Sequence, residues 1–272
     1  MPFKETKNYY NKYANLIDKY FPQGYQYSLI FNEKYSNLPL SDQNNFFLTE
    51  LAELNSSMSI LDVGCGNGQF YEFIKKHYDC EYYGIDLAEN QIKNCKEKYN
   101  QNMFECADMH SFKSNKKYDV CYLIESIGYS NNILSLVENI YSLLKPNGQV
   151  IIKFPYKNVI NEEKHLKVEK LFEPVKKEYG FVNDSLGIVI EKEDIEKEFI
   201  SCGFKLITYN IPNSDYFEYN YPFFNFGELK ITHPEYIKIS LTIMNKNLYY
   251  PNVYGECGIY KFQKIIHNNQ NK

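Results

Sequence analysis

The sequence predicts an α/β fold in which helices wrap a mostly parallel sheet, with a helical cap at the N-terminus. Three observations predict it. From residue 56 onward, apolar strand-like runs alternate with amphipathic helical patterns in the order βαβαβαβαβ. A glycine-rich turn joins the first of these strands to its helix in ILDVGCGNGQF, residues 60–70. The run Val120 to Ile124 is continuously apolar, as strands covered on both faces are.

Composition bounds the answer. The 272 residues suffice for one large α/β domain with an appended cap. All 30 basic residues are lysine and the net charge is −4, so overall electrostatics give a nucleic-acid partner no support. No apolar run approaches the ~20 residues of a membrane helix. The start MPFKETKNYY is polar and does not read as a secretory leader. Seven cysteines form no CxxC pair, so reduced thiols in a soluble, cytoplasmic protein are the expectation. The five histidines show no metal spacing. Oligomeric state is not legible.

Residues 1–55 precede the first sheet strand and form the expected cap. Tyr9, Tyr10, Tyr13, Leu16, Ile17 and Tyr20 recur at helical spacing until Phe21-Pro22-Gln23-Gly24 breaks the pattern. A second helix is expected from Ser41, as N-cap, to about Leu54. Such helices either cover a ligand cleft or pack on the sheet.

The glycine turn follows strand 1, and Phe70, Phe73, Ile74 and Tyr78 then recur at helical spacing. Glycine lets backbone amides approach a ligand, and a helix N-terminus offers unpaired N–H groups. Asp62, two residues before Gly64, is placed to receive a cationic group or to brace the loop. Strand 2 ends at Asp86, about 20 positions past the loop, where a carboxylate suits the vicinal hydroxyls of a ribose. A helix from Glu89 through Lys98 and a short strand near 103–106 lead into Ala107-Asp108-Met109. Strand 4 ends in Glu125, and a helix spans Ile133 to Leu144. Lys145-Pro146-Asn147-Gly148 turns into the strand QVIIKF. Residues 156–190 read as a charged insertion, either a solvated face or part of a lid. A helix over Lys192 to Ser201, a strand over Lys205 to Ile211, an aromatic stretch at 212–254 and a last strand from Gly258 to Ile266 complete the chain. The last strand would close the sheet as a hairpin partner.

Four features together resemble the class I S-adenosylmethionine-dependent methyltransferases: the GxGxG turn, Asp86, the Ala107-Asp108-Met109 loop and LLKPNGQVII. The resemblance covers roughly residues 55–211. It implies a Rossmann-like domain over 56–272, with a seven-stranded sheet whose last strand is antiparallel and insertions near 156–190 and 212–254. It also implies S-adenosylmethionine as cofactor. By position, Asp62, Gly64, Cys65, Gly66 and Gly68 would form its glycine loop, Asp86 and Leu87 would meet the ribose, and Asp108 and Met109 the adenine. GIDLAENQIKNC resembles the cyclopropane-synthase and sterol C-methyltransferase branch, in which a Gln at the position of Gln91 reaches the cofactor. The Glu-His pair of cyclopropane synthases is replaced here by Gly128-Tyr129, which argues against cyclopropanation. The pattern YDxxxxxES, with Tyr129 four residues after Glu125, is similar to terpenoid C-methyltransferases, as is FPQGYQYSLIF.

That resemblance implies a small or lipid-like substrate whose alkene carbon takes the methyl group. The carbocation left behind must lose a proton, and Glu125 is the candidate base. The plain alternative for it is a structural carboxylate or a cofactor contact, although no structural need for it is evident in the sequence. Aromatic faces stabilise such a cation by ~0.5–2 kcal/mol each where desolvated. Tyr129 is the catalytic candidate among them, and Tyr25, Tyr27, Tyr219 and Phe223 are candidates for the substrate pocket, with Tyr216 and Phe224 beside them; core packing is the plain alternative for each. A diphosphate substrate would leave lysines or Mg²⁺ to bind it, because arginine is absent. His110 is a second candidate base. The rival readings are an N- or O-methyltransferase and a cofactor-binding protein without catalysis.

Overall fold

The structure is a computed structural model describing residues 40–99, 101–155, 192–210 and 257–265, with residues 6–8, 10–12, 14–15, 35, 37–38, 163, 166–167 and 170 besides. The insertions expected near 156–190 and 212–254 fall almost wholly outside the described residues, as do Tyr25, Tyr27, Tyr216, Tyr219, Phe223 and Phe224.

Seven strands form one sheet. They are β1 (Ser59–Val63), β2 (Glu81–Asp86), β3 (Phe104–Cys106), β4 (Tyr118–Ile124), β5 (Leu144–Pro155), β6 (Phe204–Asn210) and β7 (Cys257–Lys264). Their spatial order is β3-β2-β1-β4-β5-β7-β6. The first five run parallel, and β7 lies antiparallel between β5 and β6. The hairpin expected at the end of the chain is therefore inserted into the sheet. The order reverses at β1, with β2 on one side and β4 on the other, which is where open parallel sheets hold ligands at their strand carboxyl ends.

Alternation along each strand builds the two halves of the core. Leu61, Val63, Cys121, Leu123, Val150, Ile152, Tyr260 and Phe262 face one side. Helices α4 (Ile133–Leu143) and α5 (Lys192–Ser201) cover that side through Leu136, Val137, Ile140, Ile195 and Phe199. Ile60, Tyr82, Val120, Tyr122, Ile151 and Ile259 face the other. There α1 (Leu40–Leu51), α2 (Gln69–His77) and α3 (Glu89–Lys98) contribute Leu48, Phe70, Phe73, Ile74, Ile92 and Cys95. Burying each aliphatic or Phe side chain contributes ~1.5–3 kcal/mol.

Two boundaries differ from expectation. Helix α1 starts at Leu40, so Ser41 lies inside it and does not cap it; it ends at Leu51 because Glu53 turns left-handed at φ 55°. The Glu53 and Leu54 amides then donate to the carbonyls of Glu50 and Thr49, closing the helix end. The ammonium of Lys261 on β7 also donates to the Leu51 carbonyl at 2.8 Å, fastening α1 to the far strand. The turn expected at 145–148 is absorbed into β5, where Asn147 adopts φ 60° and the pairing with β4 shifts register between Tyr118 and Val120.

Candidate active site

The carboxyl ends of β1, β2, β3 and β4 present four acidic side chains: Asp62, Asp86, Asp108 and Glu125. Asp86 closes β2 and Glu125 directly follows β4, while Asp62 is the penultimate residue of β1 and Asp108 lies two residues past β3.

The turn after β1 is held by its neighbours. The amides of Gly64 and Cys65 both donate to the Ile85 carbonyl, at 2.8 and 3.0 Å. Gly64 has φ 83°, and a Cβ there would lie 2.4 Å from Cβ of Ser126, whose hydroxyl donates to the Val63 carbonyl. Gly66 differs: at φ 52° a Cβ would meet nothing within 4 Å. Its backbone borders open space in the cleft, while its amide donates to Asp86 Oδ2 at 3.0 Å. Gly68, also left-handed at φ 75°, is the N-cap of α2.

Asp62 is buried and accepts the hydroxyl of Tyr82. Burial pushes its carboxyl up to about 7, helped by the charge of Asp86 and opposed by the Tyr82 hydrogen bond. Asp86 is also raised by burial, and the amides of Ala88 and Gly66 hold it back. Those two amides occupy one lone pair on each oxygen, leaving acceptor capacity for a sugar. Gln91 is 2% exposed, and its Oε1 has no hydrogen-bond partner among the described residues. Buried polar atoms are nearly always paired, so this one fits a ligand that supplies the donor. Cys65 is buried against Gly84, whereas Leu87 and Met109 are half-buried beside the cleft.

Glu125 has φ 58°, in the left-handed region that β-carbon sterics disfavour. Its amide donates to the Lys153 carbonyl at 2.8 Å, and its Oε1 lies 2.9 Å from Nζ of Lys153 on β5. The Lys153 side chain is fully buried and that of Glu125 is 13% exposed. Glu125 therefore has the structural need that the sequence did not reveal: it compensates a buried ammonium. Tyr129 follows on a single 3₁₀ turn, Ile127–Tyr129. Its hydroxyl is 2.8 Å from that of Tyr10, and the two rings meet edge-on at 5.9 Å. Burial raises the Tyr129 hydroxyl, opposed by the Tyr10 hydrogen bond, with the charges of Glu125 and Asp86 adding to the rise.

Tyr10 is one of the helical residues 6–8, 10–12 and 14–15, which meet α3 through three side chains. Lys7 pairs with Glu89 at 2.6 Å, Asn11 accepts two hydrogen bonds from Asn90 through its side-chain oxygen and its carbonyl, and Asn15 accepts from Asn94. The contacts recur at four-residue spacing along one helix face. Tyr10 and Lys153 are the site residues that the sequence reading missed. The helical stripe containing Tyr10 was the available signal for it, and a lysine inside a buried strand was the signal for Lys153. Among the described residues no group of three or more His, Cys, Asp or Glu side chains can hold a metal ion. No helix among them is long and apolar enough to cross a membrane.

Residues 37–209 match the family described as a methyltransferase domain. The chain belongs to that methyltransferase family. S-adenosylmethionine is the cofactor of these methyltransferases, and the glycine turn, the Asp86 carboxylate and the unpaired Gln91 oxygen suit such a group. The chain is similar to a sterol 24-C-methyltransferase of Clavispora lusitaniae, 24% identical over 74% of this chain and 54% of that protein. It is also similar to phosphoethanolamine N-methyltransferase 1 of Triticum aestivum, 29% identical over 47% of this chain and 26% of that protein. The chain thus spans about half the length, or less, of these curated relatives. The fold matches a geranyl diphosphate C-methyltransferase from Streptomyces coelicolor A3(2), with TM-score 0.66 and 11% identity over 97% of this chain and 98% of that one. That structure holds Mg²⁺, geranyl diphosphate and S-adenosyl-L-homocysteine. The fold is the class I, Rossmann-like one, with seven strands and β7 antiparallel.

Proposed function

We propose that this chain transfers the methyl group of S-adenosylmethionine to an alkene carbon of a prenyl diphosphate or another terpenoid or lipid-like small molecule, with Glu125 as base. One observation carries the reading: the Glu125 carboxylate lies against a buried ammonium, that of Lys153. An ion pair with an ammonium takes the carboxylate as the anion, and a carboxylate is a weak base, ordinarily titrating at about 4.3. A weak base suits a carbocation, which is a very strong acid. It suits an alkylammonium poorly, because that group holds its proton to pH ~10.

The bound cofactor supplies an electrophilic methyl group on sulfur. The glycine loop, Asp86, Leu87, Asp108, Met109 and Gln91 hold and orient it, and Asp62 faces a cationic group. Aligning the alkene with the methyl group lowers the barrier without activating either partner chemically. Tyr129 and Tyr10 give the cation aromatic faces and keep water from it. Glu125 then takes the proton. A diphosphate substrate would be met by lysines and Mg²⁺, the ion that accompanies geranyl diphosphate in the Streptomyces coelicolor structure. The free thiols of Cys65, Cys95 and Cys121 support a cytoplasmic location.

Glu125→Gln should retain binding of S-adenosylhomocysteine while turnover falls ~10²–10⁴-fold. Unchanged turnover would remove the base. The second reading is N-methylation, favoured by the similarity to the wheat enzyme; there Glu125 is not the group that frees the acceptor nitrogen of its proton, and the same substitution would leave kcat within a few-fold.

A further inference from the structure

His110 joins two loops that the cleft brings together. Its backbone amide and its Nδ1 both lie on Asp108 Oδ1, at 2.9 and 2.7 Å. Its Nε2 is 2.9 Å from Oγ of Ser130, the residue after Tyr129. Ser130 Oγ in turn accepts the Asn132 amide at 3.2 Å. The His110 side chain is 11% exposed.

Donor and acceptor rules assign the protons. An ionised carboxylate only accepts, so Nδ1 carries the hydrogen and donates to Asp108. In the singly protonated ring Nε2 accepts from the Ser130 hydroxyl, and in the doubly protonated ring it donates to that oxygen; Nδ1 stays on Asp108 in both. The remaining lone pairs on Ser130 take the Asn132 amide.

Aspartate, histidine and serine in this order resemble a hydrolytic triad, but the arrangement cannot act as one. Ser130 is 2% exposed and already bonded on both sides, so no carbonyl carbon can reach its oxygen. The same geometry tells against His110 as the second candidate base of the sequence reading, because Nδ1 and Nε2 both face partners inside the protein.

We propose that His110 is a positioning residue for adenine recognition. It commits Asp108 Oδ1 and fixes the carboxylate plane, leaving Oδ2 to accept the exocyclic amine. Ser130 holds the ring from the far side, so the strand 4 loop that carries Tyr129 sets the selectivity of the strand 3 loop. The inference rests on the reading of Asp108 as the adenine contact.

The test compares S-adenosylhomocysteine with S-inosylhomocysteine, which has an oxygen in place of the amine, by calorimetry on the intact chain. The wild type should prefer the adenosyl ligand by at least tenfold. His110→Ala should collapse that ratio toward one. His110→Asn keeps an N–H where Nδ1 stood and should restore most of the ratio, and Ser130→Ala should fall between. Each variant is first shown to be folded by circular dichroism, because a loss of fold would weaken both ligands alike and leave the ratio standing. Two results would overturn the proposal: an unchanged ratio in His110→Ala, or equal losses in His110→Asn and His110→Ala. Asp108→Asn separates this from the underlying reading. If that substitution leaves the ratio unchanged, the adenine contact itself is wrong.

Discussion

Nζ of Lys153 lies 2.9 Å from Oε1 of Glu125, and no part of the lysine side chain reaches solvent. Taking an ammonium out of water is costly unless an anion meets it, and removing one member of a buried pair costs ~3–5 kcal/mol. Lys153→Met should therefore lower the melting temperature by about 10 °C. Adding Glu125→Gln to that variant should recover part of the loss, because neither charge then stands alone. Thermal unfolding followed by circular dichroism decides it. A single variant that melts with the wild type would mean that the pair is not buried as described.

Asp62 has a carboxyl pushed up to about 7, mainly by burial. Its folded value lies above its ordinary one, so its contribution to stability is fully present below pH ~4 and is lost as pH rises toward 7. Asp62→Asn should flatten this fall. A ligand ammonium against Asp62 would favour the ionised form, so S-adenosylhomocysteine binding should release a proton near pH 6 and weaken up to tenfold per unit below 7. Calorimetry in buffers of different ionisation enthalpy measures the proton. No release would leave Asp62 with its bracing role on Tyr82.

Gly64 and Gly66 should respond differently to alanine. At Gly64 the new methyl group would collide with Ser126, and the variant should be poorly folded. At Gly66 it would enter open space, so only the left-handed backbone opposes it, at ~1–2 kcal/mol. Gly66→Ala should fold, with S-adenosylhomocysteine binding at least tenfold weaker. Unimpaired binding would move the cofactor away from this turn.

Gln91 carries a buried oxygen without a partner among the described residues. Gln91→Leu should leave the ligand-free protein as stable as before, or more so, since an unsatisfied acceptor costs ~1–3 kcal/mol. It should also weaken S-adenosylhomocysteine. A less stable protein with unaltered affinity would assign Gln91 to packing instead.

The strand and helix order was legible because the sheet is buried on both faces, which writes apolar runs such as Val120–Ile124 directly into the sequence. Helices α3 and α5 fall at the expected bounds, set by charged residues around Ile92, Cys95, Ile195 and Phe199. Asp86 and Glu125 were legible because each stands where a strand ends, whereas Asp62 was read from its place before the glycine turn and Asp108 from the family resemblance. Their partners were not. Lys153 sits in QVIIKF as one charge among hydrophobes, and nothing local says that its ammonium turns toward the neighbouring strand. Tyr10 reads as one more aromatic in a helical stripe, since its contact with Tyr129 spans 119 residues. His110 was visible as chemistry, but its role depends on Ser130, 20 residues away.

The most direct measurement is to locate the transferred methyl group. The chain is incubated with S-[methyl-¹³C]adenosylmethionine, Mg²⁺ and geranyl diphosphate, or a panel of longer prenyl and sterol alkenes, and the product is read by carbon NMR. Label on a new carbon–carbon bond, lost in Glu125→Gln, is the predicted result. Label on nitrogen or oxygen of an amine or phenol acceptor, with none on any alkene, would contradict it.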